Sequence, residues 1–224
     1  MDTSRRQMLF GGAVIGTAAA VGIGYYVWNR PTRTPVARPG TPPGDVSVAE
    51  LMRPGPLGDM AQGDPKAPVT IVEYASMTCG HCAAFHQNTY PELKKRYIET
   101  GKVRFIFREF PLDQLALAAF MLARCSGEDK YFAMIDTLFQ QHNDWVTERP
   151  LQPLMAIAKQ AGISEQRFNE CLKDEKLIEG IENVRTRATE VFSVQSTPTF
   201  FINGKLLRGA FSIQEMEKQI TPYL

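Results

Sequence analysis

Short apolar runs alternate with longer stretches of helical periodicity over most of this chain. Residues 69–74 (VTIVEY) and 103–107 (VRFIF) are rich in β-branched and aromatic side chains, and each run predicts a strand. The residues between them, 79–100, favour a helix in which Pro91 predicts a kink and which Gly101 ends. A strand, a helix and a second strand in this order predict a right-handed βαβ unit.

The periodicity changes after the second strand. Residues 115–123 are apolar on every side, which predicts a buried helix within an all-helical block that covers about residues 112–192. Residues 199–202 then predict a strand, and Asn203-Gly204 predicts a tight hairpin turn into a partner strand over residues 205–208. A closing helix is predicted over residues 212–221, with Ser212 as its N-cap.

Composition and charge narrow the class of protein. The chain has 224 residues, of which 44% are hydrophobic and 22% charged, as in ordinary globular proteins. The formal net charge is +1, so no strongly basic field points to nucleic acid, and we expect no nucleic-acid partner.

The N-terminus carries an export pattern. Arg5-Arg6 precede a charge-free apolar stretch from Met8 to Trp28, and residues 1–29 therefore predict a twin-arginine-type signal peptide or an N-terminal membrane anchor. Either alternative places the remainder outside the cytoplasm, in the periplasm, where it is attached to the inner membrane if the segment is retained. Residues 30–56 are rich in Pro and Gly and predict a linker without a core, although residues 46–52 carry a weak signal for a short helix. The folded domain is therefore predicted over residues 57–224.

The motif Cys79-Gly80-His81-Cys82 lies just after the first predicted strand and opens the predicted helix. Unpaired N–H groups and the positive end of the helix dipole stabilise a thiolate at that position. We predict Cys79 as the nucleophile of thiol–disulfide exchange and Cys82 as the thiol that resolves the mixed disulfide. His81 can stabilise the Cys79 thiolate by charge and hydrogen bonding, or it can simply face solvent.

Three stretches together resemble one family. They are residues 73–82 (EYASMTCGHC), 108–112 (REFPL) and 196–204 (STPTFFING), and they resemble the DsbA-like proteins of alphaproteobacteria. The resemblance implies an α/β thioredoxin-like fold with a helical insertion between the second central strand and a cis-proline hairpin. DsbA-like proteins usually carry Cys-Pro-His-Cys, whereas Gly80 makes the motif similar to that of protein disulfide isomerase.

The resemblance also implies roles outside the motif. Pro198 would be a cis proline that faces the redox pair, and Thr197 would offer its backbone to a substrate peptide. Glu73 would lie beneath the active site and accept a proton from Cys82, with a pKa raised by burial. A trans Pro198 that opens a strand and an outward-facing Glu73 remain the alternatives.

Two further cysteines lie in the predicted helical block. We predict that Cys125 and Cys171 form a disulfide that staples the insertion. Two separate buried thiols, or a second redox pair that tunes the first, are the alternatives.

The sequence therefore predicts an exported thiol–disulfide oxidoreductase that oxidises cysteine pairs in folding client proteins. The resemblance implies re-oxidation by a DsbB-like membrane partner, and no organic cofactor or metal is required. An isomerase or reductase of the same fold, a redox-inactive peptide-binding or chaperone module, and a metal-binding domain remain alternatives.

Overall fold

A five-stranded mixed sheet forms the centre of the protein in the computed structural model, which describes residues 46–224. The strands are β1 (Met60–Gln62), β2 (Val69–Ala75), β3 (Val103–Glu109), β4 (Thr199–Ile202) and β5 (Lys205–Arg208), in the spatial order β1-β3-β2-β4-β5. Only β2 and β3 are parallel. The four predicted strands are present, and β1 is an additional edge strand. The predictions for residues 1–45 lie outside the described residues.

The helix that joins β2 to β3 is divided into three pieces. They are the active-site helix Gly80–Asn88, a short helix Tyr90–Leu93 and a π-helical turn Lys94–Ile98. The division lies at Thr89, whose hydroxyl donates a 2.8 Å hydrogen bond to the carbonyl of Phe211. Pro91 comes after the break, in the first turn of the next helix, where its missing N–H costs little. The sequence therefore predicted the interruption but placed it two residues late.

The region between β3 and β4 is helical, as predicted. Its helices are Gln114–Cys125, Glu128–Gln140, His142–Trp145, Leu151–Gln160, Glu165–Cys171 and Glu175–Phe192. A disulfide joins Cys125, at the end of the first of these helices, to Cys171, at the end of the fifth.

The C-terminal part forms a hairpin and a helix. Asn203 and Gly204 have positive φ angles of 47° and 89°, as the tight turn between β4 and β5 demands. The final α-helix, Ile213–Ile220, has Ser212 as its N-cap, which forms a reciprocal capping box with Glu215, and a 3-10 turn Thr221–Tyr223 follows it. With this hairpin the thioredoxin-like order of elements is complete, and the predicted fold class is confirmed.

The alternation of side chains along β2 decides what lies under the active site. Ile71 and Ala75 belong to the large core beneath the active-site helix and the insertion, whereas Val72 and Tyr74 belong to a second core on the opposite face. Successive side chains of a strand point to opposite faces, so Glu73 shares the face of Ile71 and Ala75. The sheet therefore places a carboxyl group in the apolar layer under the redox motif.

Ordered packing begins before the predicted domain boundary at residue 57. The short helix Val48–Leu51 lies within the predicted linker, yet Leu51 is 1% exposed and its carbonyl accepts a 2.7 Å hydrogen bond from Arg108. The N–H of Val46 donates to the carbonyl of Gly204. The prediction of a linker without a core is therefore wrong for residues 46–56. Among residues 46–224, no helix is both long and apolar enough to cross a bilayer.

Candidate functional site

Cys79 is the N-cap of the active-site helix. Its sulfur accepts a 3.3 Å hydrogen bond from the backbone N–H of Cys82, and its thiol is 3.4 Å from the carbonyl oxygen of Thr197, to which it can donate. The residue is 9% exposed and therefore almost fully buried. Cys79 and Cys82 are both free thiols in this structure.

The surroundings of Cys79 make its thiol unusually acidic. Its pKa is lowered from 9.0 to about 5, chiefly by a hydrogen bond from the thiol of Cys82. Burial acts in the opposite direction, while Thr197 and the backbone N–H groups of Cys82 and His81 add to the lowering. A thiol with this pKa is a thiolate at neutral pH, and the thiolate is the form that attacks disulfides.

Cys82 has the opposite character. Its side chain is fully buried, and burial raises its pKa well above 9.0. The Cys79 thiol and the nearby charge of Glu73 raise it further. The pair therefore consists of one acidic sulfur, in a residue that is 9% exposed, and one fully buried sulfur that holds its proton, which is the asymmetry that thiol–disulfide exchange requires.

Gly80 and His81 are the exposed residues of the motif. A Cβ atom at Gly80 would meet no heavy atom within 4 Å, so the backbone there is not crowded. His81 acts on the Cys79 sulfur through its backbone N–H. Stabilisation of the thiolate by the His81 imidazole remains a prediction.

The loop before β4 lies against the redox pair. The peptide bond between Thr197 and Pro198 is cis, Pro198 is buried, and the Thr197 carbonyl is the one next to the Cys79 sulfur. The structure thus brings Thr197 next to Cys79, from which it is 118 positions away in the chain. Pairing of the Thr197 backbone with a substrate peptide stays a prediction.

Polar side chains that the sequence analysis did not single out hold the loop before Cys79. Thr78 donates a 2.7 Å hydrogen bond to Asp113, which also caps the helix Gln114–Cys125. Ser76 accepts from the backbone N–H of Leu112 at 3.3 Å, and its carbonyl accepts from the backbone N–H of Cys79. Because these bonds tie the loop to the start of the helical insertion, the first turn of the active-site helix has a fixed position.

Glu73 lies in the core beneath this turn and is paired. Its Oε2 is 2.9 Å from Nε2 of His86, and both side chains are at most 2% exposed. His86 is four residues after Cys82, on the same face of the active-site helix. The sequence analysis did not single out His86. Two observations together identify His86 as the partner of Glu73. They are its spacing of four residues from Cys82 and the burial of Glu73.

The disulfide between Cys125 and Cys171 is confined to the helical insertion. It joins two helix ends there and contributes no atom to the hydrogen bonds around Cys79. The two redox-motif cysteines and the insertion disulfide are thus two separate cysteine pairs.

Proteins of two Rickettsia species are similar to this chain in sequence. A protein of Rickettsia felis named "Putative protein-disulfide oxidoreductase" is 34% identical over 164 residues, which are 72% of this chain and 59% of the relative. A Rickettsia typhi protein named in the same way is 36% identical over 65% of this chain and 55% of its own length. The chain thus spans less than two thirds of the length of these relatives.

Solved structures give the same family. The crystal structure of Wolbachia pipientis alpha-DsbA1 is 34% identical, has a TM-score of 0.71, and is matched over 79% of this chain and 96% of that one. BdbD of Bacillus subtilis, at 23% identity and a TM-score of 0.66, shares the fold over 74% of this chain and 92% of its own. The family model described as thioredoxin matches residues 57–221. The chain belongs to the thioredoxin family and, within it, to the DsbA-like proteins.

Proposed function

We propose that this protein is a thiol–disulfide oxidoreductase that oxidises cysteine pairs in client proteins through a Cys79–Cys82 disulfide. The observation that carries the proposal is the contrast between the two sulfurs, since the pKa of Cys79 is lowered to about 5 and that of Cys82 is raised well above 9.0. Stabilising the thiolate of the reduced form makes the disulfide a stronger oxidant.

The exchange runs in two steps. A client thiolate attacks the Cys79 sulfur of the disulfide, so that a client–Cys79 mixed disulfide forms and Cys82 leaves with the electron pair. A second client thiolate then attacks the client sulfur and releases the Cys79 thiolate, which needs no proton at neutral pH. Thr197 would hold the client segment by strand-like pairing next to Cys79.

Glu73 would serve the buried sulfur. Because the pKa of Cys82 lies well above 9.0, the leaving Cys82 thiolate must take up a proton, and in the reverse direction the thiol must lose one. Glu73 is close enough for its charge to raise that pKa, and its Oε1 atom has no hydrogen-bond partner among the described residues. These observations support Glu73 as the immediate donor and acceptor of that proton.

Trapping tests the function directly. With Cys82→Ala, mixed disulfides between Cys79 and clients should accumulate, because the Cys82 thiol that would attack the Cys79 sulfur and expel the client is absent. The identities of the trapped clients then indicate the physiological direction. Cys79→Ser is the matched control and should trap nothing. Equal behaviour of the wild type and Cys79→Ser in a turbidity assay of insulin reduction would support the redox-inactive peptide-binding alternative instead.

The redox potential separates an oxidase from an isomerase or a reductase. Gly80, in place of the proline usual in DsbA-like motifs, is the feature that favours the isomerase alternative. Potentials of about −120 mV for DsbA, about −180 mV for protein disulfide isomerase and about −270 mV for thioredoxin set the scale. Equilibration with glutathione should place this protein at or above the isomerase value, and a value near that of thioredoxin would end the oxidase proposal.

We also infer export to the periplasm and re-oxidation by a DsbB-like membrane partner. Export rests on the Arg5-Arg6 pattern and the apolar stretch behind it. Fractionation of cells that express the wild type or the Arg5→Lys/Arg6→Lys variant tests the twin-arginine route, because that route should reject the lysine pair. The size of the exported product shows whether the segment is a cleaved signal or a retained anchor.

A further inference from the structure

The pair formed by Glu73 and His86 has unused hydrogen-bonding capacity on both sides. Glu73 Oε2 and His86 Nε2 occupy each other, whereas Glu73 Oε1 and His86 Nδ1 are buried with no partner among the described residues. Leaving a buried polar atom unpaired costs about 1–3 kcal/mol. Two such atoms on one buried ionisable pair suggest a role beyond packing.

Packing explains why His86 is buried but not why Glu73 is buried beside it. The His86 ring stacks on Phe139 with a centroid distance of 4.3 Å and an interplanar angle of 17°, which accounts for burying an aromatic ring. It does not account for burying a carboxyl group next to that ring. Cys82 belongs to the same core as Ile71 and Ala75, whose face of β2 Glu73 shares, and the Glu73 charge raises the pKa of Cys82.

The surface lies on the His86 side. His86 is among the residues that line a surface pocket of about 260 Å³, together with Tyr90 and Asp136. The Asp136 side chain is 36% exposed, and its carboxylate is 3.9 Å from the Lys94 ammonium. Burial raises the pKa of Asp136, and the charges of His86 and Lys94 act against that rise. Asp136 is therefore a partly exposed acid that lines the same pocket as His86, and the charge of His86 lowers its pKa.

We propose that Glu73, His86 and Asp136 form a proton path between the buried Cys82 sulfur and the solvent in this pocket. The proposal rests on the proposed exchange function. It adds the route by which the proton travels, with His86 and Asp136 as positioning residues rather than groups that touch the client. The other titratable groups that line the pocket are Tyr90, Lys94, Lys95 and Glu99.

The proton balance follows from the chemistry. When the client thiolate attacks Cys79, the Cys79–Cys82 bond breaks and the Cys82 thiolate takes the proton that Glu73 and His86 share. The pair regains a proton from solvent by way of Asp136. In the reverse direction Cys82 gives its proton to Glu73, attacks the Cys79 sulfur of the mixed disulfide and expels the client thiolate, while the proton leaves through His86.

Asp136→Asn tests the path without disturbing the core. The rate at which dithiothreitol reduces the oxidised protein should fall roughly tenfold, because general acid–base assistance is worth 10²- to 10⁴-fold and water can replace part of it. The solvent deuterium isotope effect should grow, and added formate or imidazole should restore the rate by entering the pocket. The equilibrium constant with glutathione should not change, because a proton path speeds both directions equally.

Two other variants complete the design. Asp129→Asn is the matched control, since Asp129 is an exposed aspartate in the first turn of the same helix, Glu128–Gln140. It should exchange at the wild-type rate. His86→Gln retains a hydrogen-bond donor for Glu73 but has no titratable group, so it should be slower than Asp136→Asn, while its thermal unfolding shows that it is folded.

The outcomes separate this proposal from the one on which it rests. If Asp136→Asn and folded His86→Gln exchange at wild-type rates with the wild-type isotope effect, the path is wrong although the exchange function stands. If the wild type itself does not exchange, the function fails and the path fails with it.

Discussion

The sulfur of Cys79 and the carbonyl oxygen of Thr197 lie 3.4 Å apart, although 118 positions separate the two residues in the chain. The contact joins the start of the active-site helix to the loop before β4. The Cys82 thiol makes the largest contribution to the lowered pKa of the Cys79 thiol, and Thr197 and the N–H groups of the helix add to it. The acidity of this thiol therefore depends on the folded domain rather than on the CxxC motif alone.

Titration of the reduced protein by ultraviolet thiolate absorbance should give a transition near pH 5, the value to which the pKa of Cys79 is lowered. Cys79→Ser should abolish that transition. Cys82→Ala should move it to higher pH, because the hydrogen bond from the Cys82 thiol is the largest cause of the lowering. A midpoint at the ordinary cysteine value of about 8.5 would contradict the proposed nucleophile.

The stability of the reduced protein should depend on pH in a way that the oxidised protein does not share. The unfolded chain holds the Cys79 proton up to about pH 8.5, whereas the folded chain loses it near pH 5. As the pH rises from about 5 to about 8.5, the free energy of unfolding of the reduced protein should therefore increase by at most about 1.4 kcal/mol for each pH unit. This contribution is lost as the pH falls through 5.

At high pH, Cys82 should lower the stability of the reduced protein. Its pKa is raised in the folded state, so its contribution is present below about pH 8.5 and is lost as the pH rises towards the folded value. Urea denaturation of both redox forms from pH 4 to pH 10 measures the effect. A reduced form whose stability follows that of the oxidised form at every pH would contradict it.

Local sequence signals were sufficient for much of the fold. β2 and β3 carry their own β-rich patterns, and Asn203-Gly204 specifies its turn because both residues accept a positive φ. β1 could not be predicted in this way. It has three residues and gains its structure from antiparallel pairing with β3, where Met60 lies opposite Phe107.

The site was predictable where the chemistry is contiguous in sequence. Cys79 and Cys82 follow from one motif, whereas the pairing of Glu73 with His86 needs two elements to meet across the core. The break at Thr89 has the same origin, because a hydrogen bond to the carbonyl of Phe211, far along the chain, accompanies it. Contacts of this kind form only when the sheet and helices pack together, so no short stretch of sequence indicates them.

Gly80→Pro should be tolerated and should stabilise the protein by about 0.4–1 kcal/mol through the unfolded state. Position 80 is the first residue of the active-site helix, and a Cβ there meets nothing within 4 Å. Cys79 already has the extended backbone, φ −83° and ψ 113°, that a following proline requires.

Chemical denaturation of the wild type, Gly80→Pro and Gly80→Ala measures the change at position 80. The thiolate transition of Cys79 should stay acidic in both variants, because the N–H groups of His81 and Cys82 are retained. Destabilisation by Gly80→Pro would show that the Gly80 N–H is required in the folded state.

Removal of the insertion disulfide should cost stability and leave the active site intact. Cys125 and Cys171 are 46 positions apart, and cross-linking a loop of that length stabilises a protein by up to about 4 kcal/mol in the chain-entropy model. The Cys125→Ala/Cys171→Ala variant should therefore unfold at lower urea concentration with an unchanged glutathione equilibrium at Cys79. A shifted equilibrium would favour the alternative in which the second pair tunes the first.

Arg124 and Glu109 form a buried ion pair that should be critical for folding and neutral for exchange. Arg124 Nε and Nη2 donate to Glu109 at 2.6 and 3.1 Å, and the Tyr131 hydroxyl donates to the same carboxylate at 2.8 Å. Arg124 Nη1 also donates to the carbonyl of Leu57. The arginine thereby ties the segment before β1 to the end of β3.

Arg124→Met should destabilise the protein by about 3–5 kcal/mol, because the carboxylate of Glu109 would remain buried without its cation. Arg124→Met/Glu109→Gln should recover part of that loss, since a neutral amide is far less costly to bury than an unpaired charge. Urea denaturation of the two single variants and the double variant gives the coupling free energy. If the double variant is as unstable as the sum of the single variants, the two residues are independent, and the cost of Arg124→Met comes from its bonds to the Leu57 segment instead.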